Sequence, residues 1–261
     1  MLSKALISQI RLLHHKKHRD EQGVFLVEGV KSCLEVLQSD FEVVQCYSTS
    51  RFFERSEESR VKSTEISEKE MARISCLTTA PEIFCMVKTP VYQLNNLDDT
   101  KSLLVLDAIR DPGNLGTIIR TADWFGFDQI LCSEDCVEFT NPKVIQSTMG
   151  SFTRVKIVYA NLDDYLNTQN KRTIYGLFMD GEPIHKQSFK NNDIVIIGSE
   201  SHGISEKLTS LIHKKIEIPM FPHEGSAPES LNAAMAAGIF MYVYSTETQT
   251  RKTSQKINLK S

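Results

Sequence analysis

The sequence predicts an α/β protein of two domains, the second built on a parallel sheet. Three observations lead there. Strand-like and helix-like segments alternate along most of the 261 residues, apolar runs in the second half read as strands buried on both faces, and a polar stretch without periodicity divides the chain.

Leu2, Leu6, Ile10 and Leu13 recur at helical spacing, so the chain opens on a helix with a basic opposite face. GVFLVEG reads as a short strand ending at Gly29, VKSCLEVLQ as a helix and VVQCY as a second strand. Residues 52–60 are charged and helical in pattern, STEIS is strand-like, and EKEMARISC is helical. This alternation predicts a small α/β domain over residues 1–95. QLNNLDDTK (93–101) is rich in Asn and Asp and reads as the linker. Beyond it, SLLVLDA is a continuous apolar run, as a strand buried in a parallel sheet requires. A helix through LGTIIRTADWFGF, strand QILC, a helix near PKVIQSTMG, strand VKIVY and a helix in LDDYLNT follow. Strands TIYGLFM and DIVIIGS, a helix through ISEKLTSLI, strand KIEIPM and the helix ESLNAAMAAGIFMYVY complete a domain over 101–247. The polar, basic end of the chain, residues 248–261, is expected to be disordered.

Bulk properties narrow the function classes. No apolar run approaches the roughly 20 residues that span a bilayer, and the N-terminus lacks the layout of a signal peptide. Six cysteines show no metal-binding spacing, the closest pair being Cys132 and Cys136. Reduced thiols in the cytoplasm are the expected state. A net charge of −3 argues against a protein that coats nucleic acid. The charge is uneven, however. Lys4, Arg11, Lys16, Lys17 and Arg19 precede the first acid at Asp20, a patch whose plainer reading is a solvated helix face.

Three loops can carry chemistry. DAIRDPGNLGTIIR (107–120) joins a buried strand to a helix, where ligands gather in open α/β sheets. Asn114 is placed to cap that helix, and Arg120 follows six residues later. IGSESHGI (197–204) sets Gly198 and Gly203 around a tight loop holding Glu200. IPMFPHEGSAPESLNAAMAAG (218–238) leads through Ser230, Leu231 and Asn232 into a helix rich in small residues. Each has an ordinary alternative: a capped helix with an exposed arginine, a plain turn capped by Ser205, a packing helix capped by Ser230. No G-x-G-x-x-G fingerprint is present, which disfavours a nicotinamide oxidoreductase, and the glycine spacing around Ser201 is wrong for a G-x-S-x-G nucleophile.

Together, in order, Asn114-x-Gly116-x-x-x-Arg120, Gly198-x-Glu200-x-x-Gly203, and Ile218-Pro219-Met220 followed by Ser230-Leu231-Asn232-x-x-x-Ala236-Ala237 resemble the three motifs of the SpoU/TrmH family of the SPOUT superfamily. The resemblance covers about residues 102–245. Phe25-Leu26-Val27-Glu28-Gly29 is similar to the F-x-V-E-G element of that family's small RNA-binding domain. The chain departs from the pattern at Ala233-Ala234-Met235 and over Phe221–Ser226.

The resemblance implies a deep trefoil knot in the C-terminal α/β fold, which pattern alone would never suggest. It implies a homodimer, S-adenosylmethionine as cofactor, and methyl transfer to a ribose 2′-hydroxyl in RNA, with rRNA favoured and tRNA the near alternative. The rival from another class is an RNA-binding protein that keeps the fold without catalysis. By the same resemblance Gly198, Glu200, Ile218, Met220 and Leu231 hold the cofactor. Asn114, Arg120, Glu200, Ser230 and Asn232 align the reacting groups. A guanidinium, with a pKa above about 12, is better suited to gripping a phosphate than to acting as a base. Seen from this side, Lys4, Arg11, Lys16, Lys17 and Arg19 become expected RNA contacts.

Overall fold

A computed structural model describes residues 1–55, 62–221 and 229–258. Along the chain the first elements are α1 (Lys4–Leu12), α2 (Lys16–Gln22), β1 (Val24–Glu28), α3 (Val30–Leu37), β2 (Val43–Ser48) and α4 (Ser50–Arg55). β3 (Thr64–Glu65), α5 (Glu68–Ile74) and β4 (Ile83–Lys88) follow. Then come β5 (Leu103–Leu106), α6 (Pro112–Phe125), β6 (Gln129–Cys132), α7 (Pro142–Thr148), β7 (Lys156–Tyr159) and α8 (Leu162–Leu166). The last are β8 (Ile174–Phe178), β9 (Glu182–Pro183), β10 (Ile194–Ile197), α9 (Glu206–Thr209), β11 (Lys214–Glu217) and α10 (Ala233–Asn258).

The chain divides into two compact units, one of Met1–Val91 with Glu138–Thr153, the other of Tyr92–Val137 with Arg154–Ser261. The first therefore recruits a segment that the sequence reading placed in the second. Aromatic packing explains the exchange. Phe25 of β1 meets the rings of Phe139 and Phe152 edge-on, each at 5.9 Å, and Phe41 closes on Phe152 at 5.6 Å. The sheet of this unit runs β1-β4-β2-β3, antiparallel except between β2 and β3. β4 was not recognised in the sequence. Most of its residues are buried, and a short apolar run of this kind does not by its periodicity separate a strand from a buried helix segment. Ile7, Ile10 and Leu13 bring α1 and its following turn into the core with Leu26, Met71 and Phe84.

In this unit one expectation is overturned. Arg19 is only 2% exposed. Its Nη1 donates to the carbonyls of Leu13 (3.0 Å) and His14 (2.9 Å), and its Nη2 donates to Glu138 at 2.5 Å. A buried guanidinium needs such partners, and this one is spent on holding the α1–α2 turn and the 138–153 segment rather than on RNA. Lys4 and Arg11 are exposed. Lys16 and Lys17 form only loose i,i+4 pairs with Asp20 and Glu21, at 3.6 and 3.9 Å. Such exposed pairs contribute little and leave both lysines accessible.

The second unit is a seven-stranded sheet, β7-β6-β5-β10-β8-β11-β9, parallel at every pairing. β5, β6 and β10 are buried along their whole length, apolar throughout except for Gln129, whose amide donates to the Asp98 and Ser102 carbonyls. The short edge strand β9 ends in Pro183, a residue tolerated at an edge because it has no ladder donor to lose. Parallel pairing brings the carboxyl ends of β5, β10, β8 and β11 to one side, which is where all three candidate loops emerge.

α10 packs along α6, with Gly238 against the Thr121 methyl. Its expected end near residue 246 is corrected: the helix continues to Asn258. Thr248 is buried and its hydroxyl donates to the Tyr244 carbonyl at 2.9 Å. Residues 247–258 contain neither Gly nor Pro, and a helix already anchored propagates at little cost. Among the described residues no helix is long and apolar enough to cross a membrane. All six cysteines are free thiols.

Candidate active site

The site starts from helix caps. Asp111, not Asn114, caps α6: its carboxylate accepts from the Asn114 N–H at 2.8 Å, with Pro112 opening the helix. A carboxylate at this position serves both the free N–H and the positive end of the helix dipole. Asn114 thus stands in the first turn with its side chain released for other contacts. At α10 the cap is Asn232 rather than Ser230, because Asn232 Oδ1 accepts from the N–H groups of Ala234 (3.0 Å) and Met235 (3.2 Å).

The two asparagines meet at Glu200. Asn114 Nδ2 donates to Glu200 Oε1 at 2.5 Å, across 86 positions of sequence. Asn232 Nδ2 donates to Asn114 Oδ1 at 2.9 Å and to Glu200 Oε1 at 3.3 Å, and the Ala233 N–H donates to the same oxygen at 3.0 Å. One carboxylate oxygen therefore gathers the start of α6, the loop after β10 and the start of α10. Charge-assisted bonds of this kind are the stronger ones, and a closed network fixes the orientation of both amides.

Glu200 reaches that point because its loop folds back tightly. The Gly203 N–H donates to the Ser199 carbonyl at 2.8 Å. A β-carbon on Gly198 would lie 2.1 Å from the carbonyl carbon of Gly203, and Gly203 itself has a φ of +65°. Both positions demand glycine, the first for close approach and the second for backbone handedness.

Beside the network is a cavity of about 530 Å³. Gly198, Glu200, Ile218, Met220 and Leu231, the expected cofactor residues, all line it, as does Ser230. Its size lies within the range of small-molecule sites, and its walls join apolar side chains to the exposed backbone of two loops. Sequence reasoning missed one wall, Leu177, Phe178 and Met179 at the carboxyl end of β8. The available signal was position, since strand ends on that side of a parallel sheet are where ligands bind.

Arg120 and Ser230 are placed differently. Arg120 is exposed on α6 and makes no hydrogen bond or ion pair with any described residue. Ser230 is exposed at the cavity and has no hydrogen-bond partner among the described residues. Pro222, Gly225 and Pro228, singled out from the sequence, and the departure over Phe221–Ser226 beyond Phe221 lie outside the described residues. Among the described residues no group of three or more His, Cys, Asp or Glu could hold a metal ion.

Comparison with known proteins bears on the same segments. Residues 101–242 match the SpoU rRNA Methylase family, and residues 4–85 match the MRM3-like substrate binding domain. The chain is 29% identical over 234 residues to the 23S rRNA (guanosine(2553)-2′-O)-methyltransferase RlmP of Bacillus subtilis, covering 88% of this chain and 92% of that one. A solved structure from Porphyromonas gingivalis, described as a TrmH-family RNA methyltransferase, superposes with a TM-score of 0.82 at 30% identity, over 94% of this chain and 98% of that one. The AdoMet-bound rRNA methyltransferase of Sinorhizobium meliloti superposes with a TM-score of 0.81 at 25% identity, over 94% and 95% of the two chains.

Proposed function

The chain belongs to the SpoU rRNA methylase family, and we propose that it transfers a methyl group from S-adenosylmethionine to a ribose 2′-hydroxyl of ribosomal RNA. The observation that carries this reading is the Asn114–Glu200–Asn232 network set against the 530 Å³ cavity. A protein that merely bound RNA would have no use for a polar network locked beside a pocket for a small molecule.

The cavity fits the cofactor by chemistry as well as size. A flat adenine needs apolar contact and a few edge hydrogen bonds, and the loops carrying Gly198 and Ile218–Met220 offer both. When bound, the cofactor supplies an electrophilic methyl on a sulfonium. The chain's own task is to align the hydroxyl and help remove its proton. Orientation alone supplies on the order of 7–11 kcal/mol in well-placed systems. In this reading the network holds Glu200 and both amides rigid, so that no part of the barrier is spent on arranging them. Ser230 presents its hydroxyl at the cavity, and Arg120, unpaired among the described residues, grips the phosphate beside the target ribose through its planar fork. Lys4, Arg11, Lys16 and Lys17 supply phosphate contacts that position the RNA. The knot belongs to the reading as well, as membership of the SpoU rRNA methylase family implies.

Arg120→Lys tests the grip. Cofactor affinity is expected to stay native while turnover falls on the order of 10²-fold, because a point charge does not orient a phosphate as a bidentate fork does. Normal turnover would remove Arg120 from the mechanism.

The reading includes a homodimer in the cytoplasm. Trp124 on α6 is 83% exposed and Tyr242 on α10 is 59% exposed, on two helices that pack together. Aromatic surface of that extent on adjacent helices is the kind a second copy covers, and Trp124 stands one turn beyond Arg120. Trp124→Glu is therefore expected to convert dimer to monomer in sedimentation velocity. A native protein that is already monomeric would end this part of the proposal.

The reaction itself is tested with tritiated S-adenosylmethionine and unmodified rRNA and tRNA, followed by digestion to nucleosides. Label in a 2′-O-methylated nucleoside of rRNA is the expected result. Label confined to tRNA would keep the chemistry and replace the substrate, while no cofactor binding would leave RNA binding as the function.

A further inference from the structure

Asp107 follows β5 directly and is 7% exposed. Carboxylates are rarely buried to that extent without a partner. Here Oδ2 accepts from the Ser205 N–H at 2.8 Å, and the Asp107 N–H donates to the Ile197 carbonyl at 2.9 Å. Asp107 is thus bonded to both ends of the segment 197–205. Between those ends lie Gly198, Glu200, Gly203 and Ile204, which line the cavity, and the Ser199–Gly203 turn that shapes it.

The other side of Asp107 is held equally firmly. Ala108 has a φ of +57°, an unfavourable conformation for a residue with a β-carbon. It persists because its N–H donates to Ser133 Oγ at 2.9 Å, and because the next N–H, of Ile109, donates to Cys136 Sγ at 3.2 Å. Arg110 then pairs with Asp135 at 2.7 Å. The Ser133 hydroxyl and, after it, Arg110 hold the Asp135 carboxyl below the usual carboxylate range. The stretch ends at Asp111, the cap that places Asn114. A displacement at Asp107 therefore has two consequences at once, one in the cavity wall and one at the start of α6.

We propose that Asp107 is a positioning residue for methyl transfer: by accepting the Ser205 N–H it keeps the 198–204 loop in the shape that binds the cofactor. It touches neither the cavity nor the network itself. The inference rests on the methyltransferase reading and adds to it a residue outside the three motif cores. What acts is the acceptor oxygen, since an oxygen without charge receives the same N–H.

The test uses the full chain with Asp107→Ala and Asp107→Asn, S-adenosylhomocysteine as the calorimetric probe, and thermal melting alongside. Asp107→Ala is expected to weaken the probe about tenfold, the effect of leaving one buried N–H donor without an acceptor. Asp107→Asn, whose amide oxygen accepts the same N–H, is expected to return affinity to within about threefold of native. A purely structural role would lower the melting temperature and leave the folded protein's affinity unchanged. Native affinity in a folded Asp107→Ala overturns the proposal, and so does an equal loss in the two variants. Should Asp107→Ala not fold, Ser205→Pro takes its place, because it removes the donated N–H at a φ of −61° that proline accepts: a tenfold loss of affinity supports the proposal and native affinity overturns it. Absence of probe binding by the native chain overturns the methyltransferase reading and this inference with it. Native binding with an insensitive Asp107 overturns the inference only.

Discussion

Gly198→Ala is expected to lose about 10–10² of its affinity for S-adenosylhomocysteine. The added methyl carbon would sit 2.1 Å from both the carbonyl carbon and the carbonyl oxygen of Gly203 and 2.3 Å from the Ile204 nitrogen. These are backbone atoms, so no side-chain rotation relieves the clash and the loop itself must move. Overpacking of this sort costs about 1–3 kcal/mol. The cost falls on the segment that carries Glu200 and two walls of the cavity, and each 1.4 kcal/mol taken from binding is about tenfold in affinity. Gly203→Ala is the matched comparison. A β-carbon there meets nothing within 4 Å, and only the φ of +65° opposes it, a strain of about 1–2 kcal/mol. The order of damage, Gly198→Ala worse than Gly203→Ala, follows from the two mechanisms. Calorimetric affinities in the reverse order would show that loop handedness, not close approach, shapes the site.

Arg19→Ala is expected to destabilise the first unit by about 3–5 kcal/mol, the usual effect of removing one member of a buried, hydrogen-bonded ion pair. The substitution leaves the Leu13 and His14 carbonyls without their donor and Glu138, 22% exposed at its side chain, without its cation. Arg19→Lys is expected to recover only part of the loss, since an ammonium lacks the fork that reaches two carbonyls and a carboxylate together. Calorimetric melting separates this from the RNA-contact reading. A variant with native melting and weaker, less salt-dependent RNA binding would restore Arg19 to the RNA-binding surface.

Arg19 also shows where the sequence stops being legible. Beside Lys16 and Lys17 it reads as one more cation in a basic run. Its burial depends on Glu138, 119 positions away, and on a segment that packs into the first unit through Phe139 and Phe152 among other residues. β4 was hidden for a different reason: a short buried apolar run does not by its periodicity distinguish a strand from a buried helix segment. Asn114 and Ser230 were weighed as caps because both residue types cap helices. Asp111 and Asn232 take those places, and the difference is a shift of two or three residues that local propensity does not resolve.

By itself the sequence determined the alternation of strands and helices, the apolar strands of the parallel sheet, and the motif residues that mark the family, because period, propensity and motif spacing act over a few neighbouring residues. Tertiary structure alone decided that Asn114, Glu200 and Asn232 form one network, that Leu177–Met179 close the cavity, that Arg19 is buried, and that Asp107 braces the loop. The physical reason is packing between distant elements. β10 enters between β5 and β8, which sets the Glu200 loop beside the start of α6, and α10 packs along α6, which brings Asn232 to Asn114 across 118 residues.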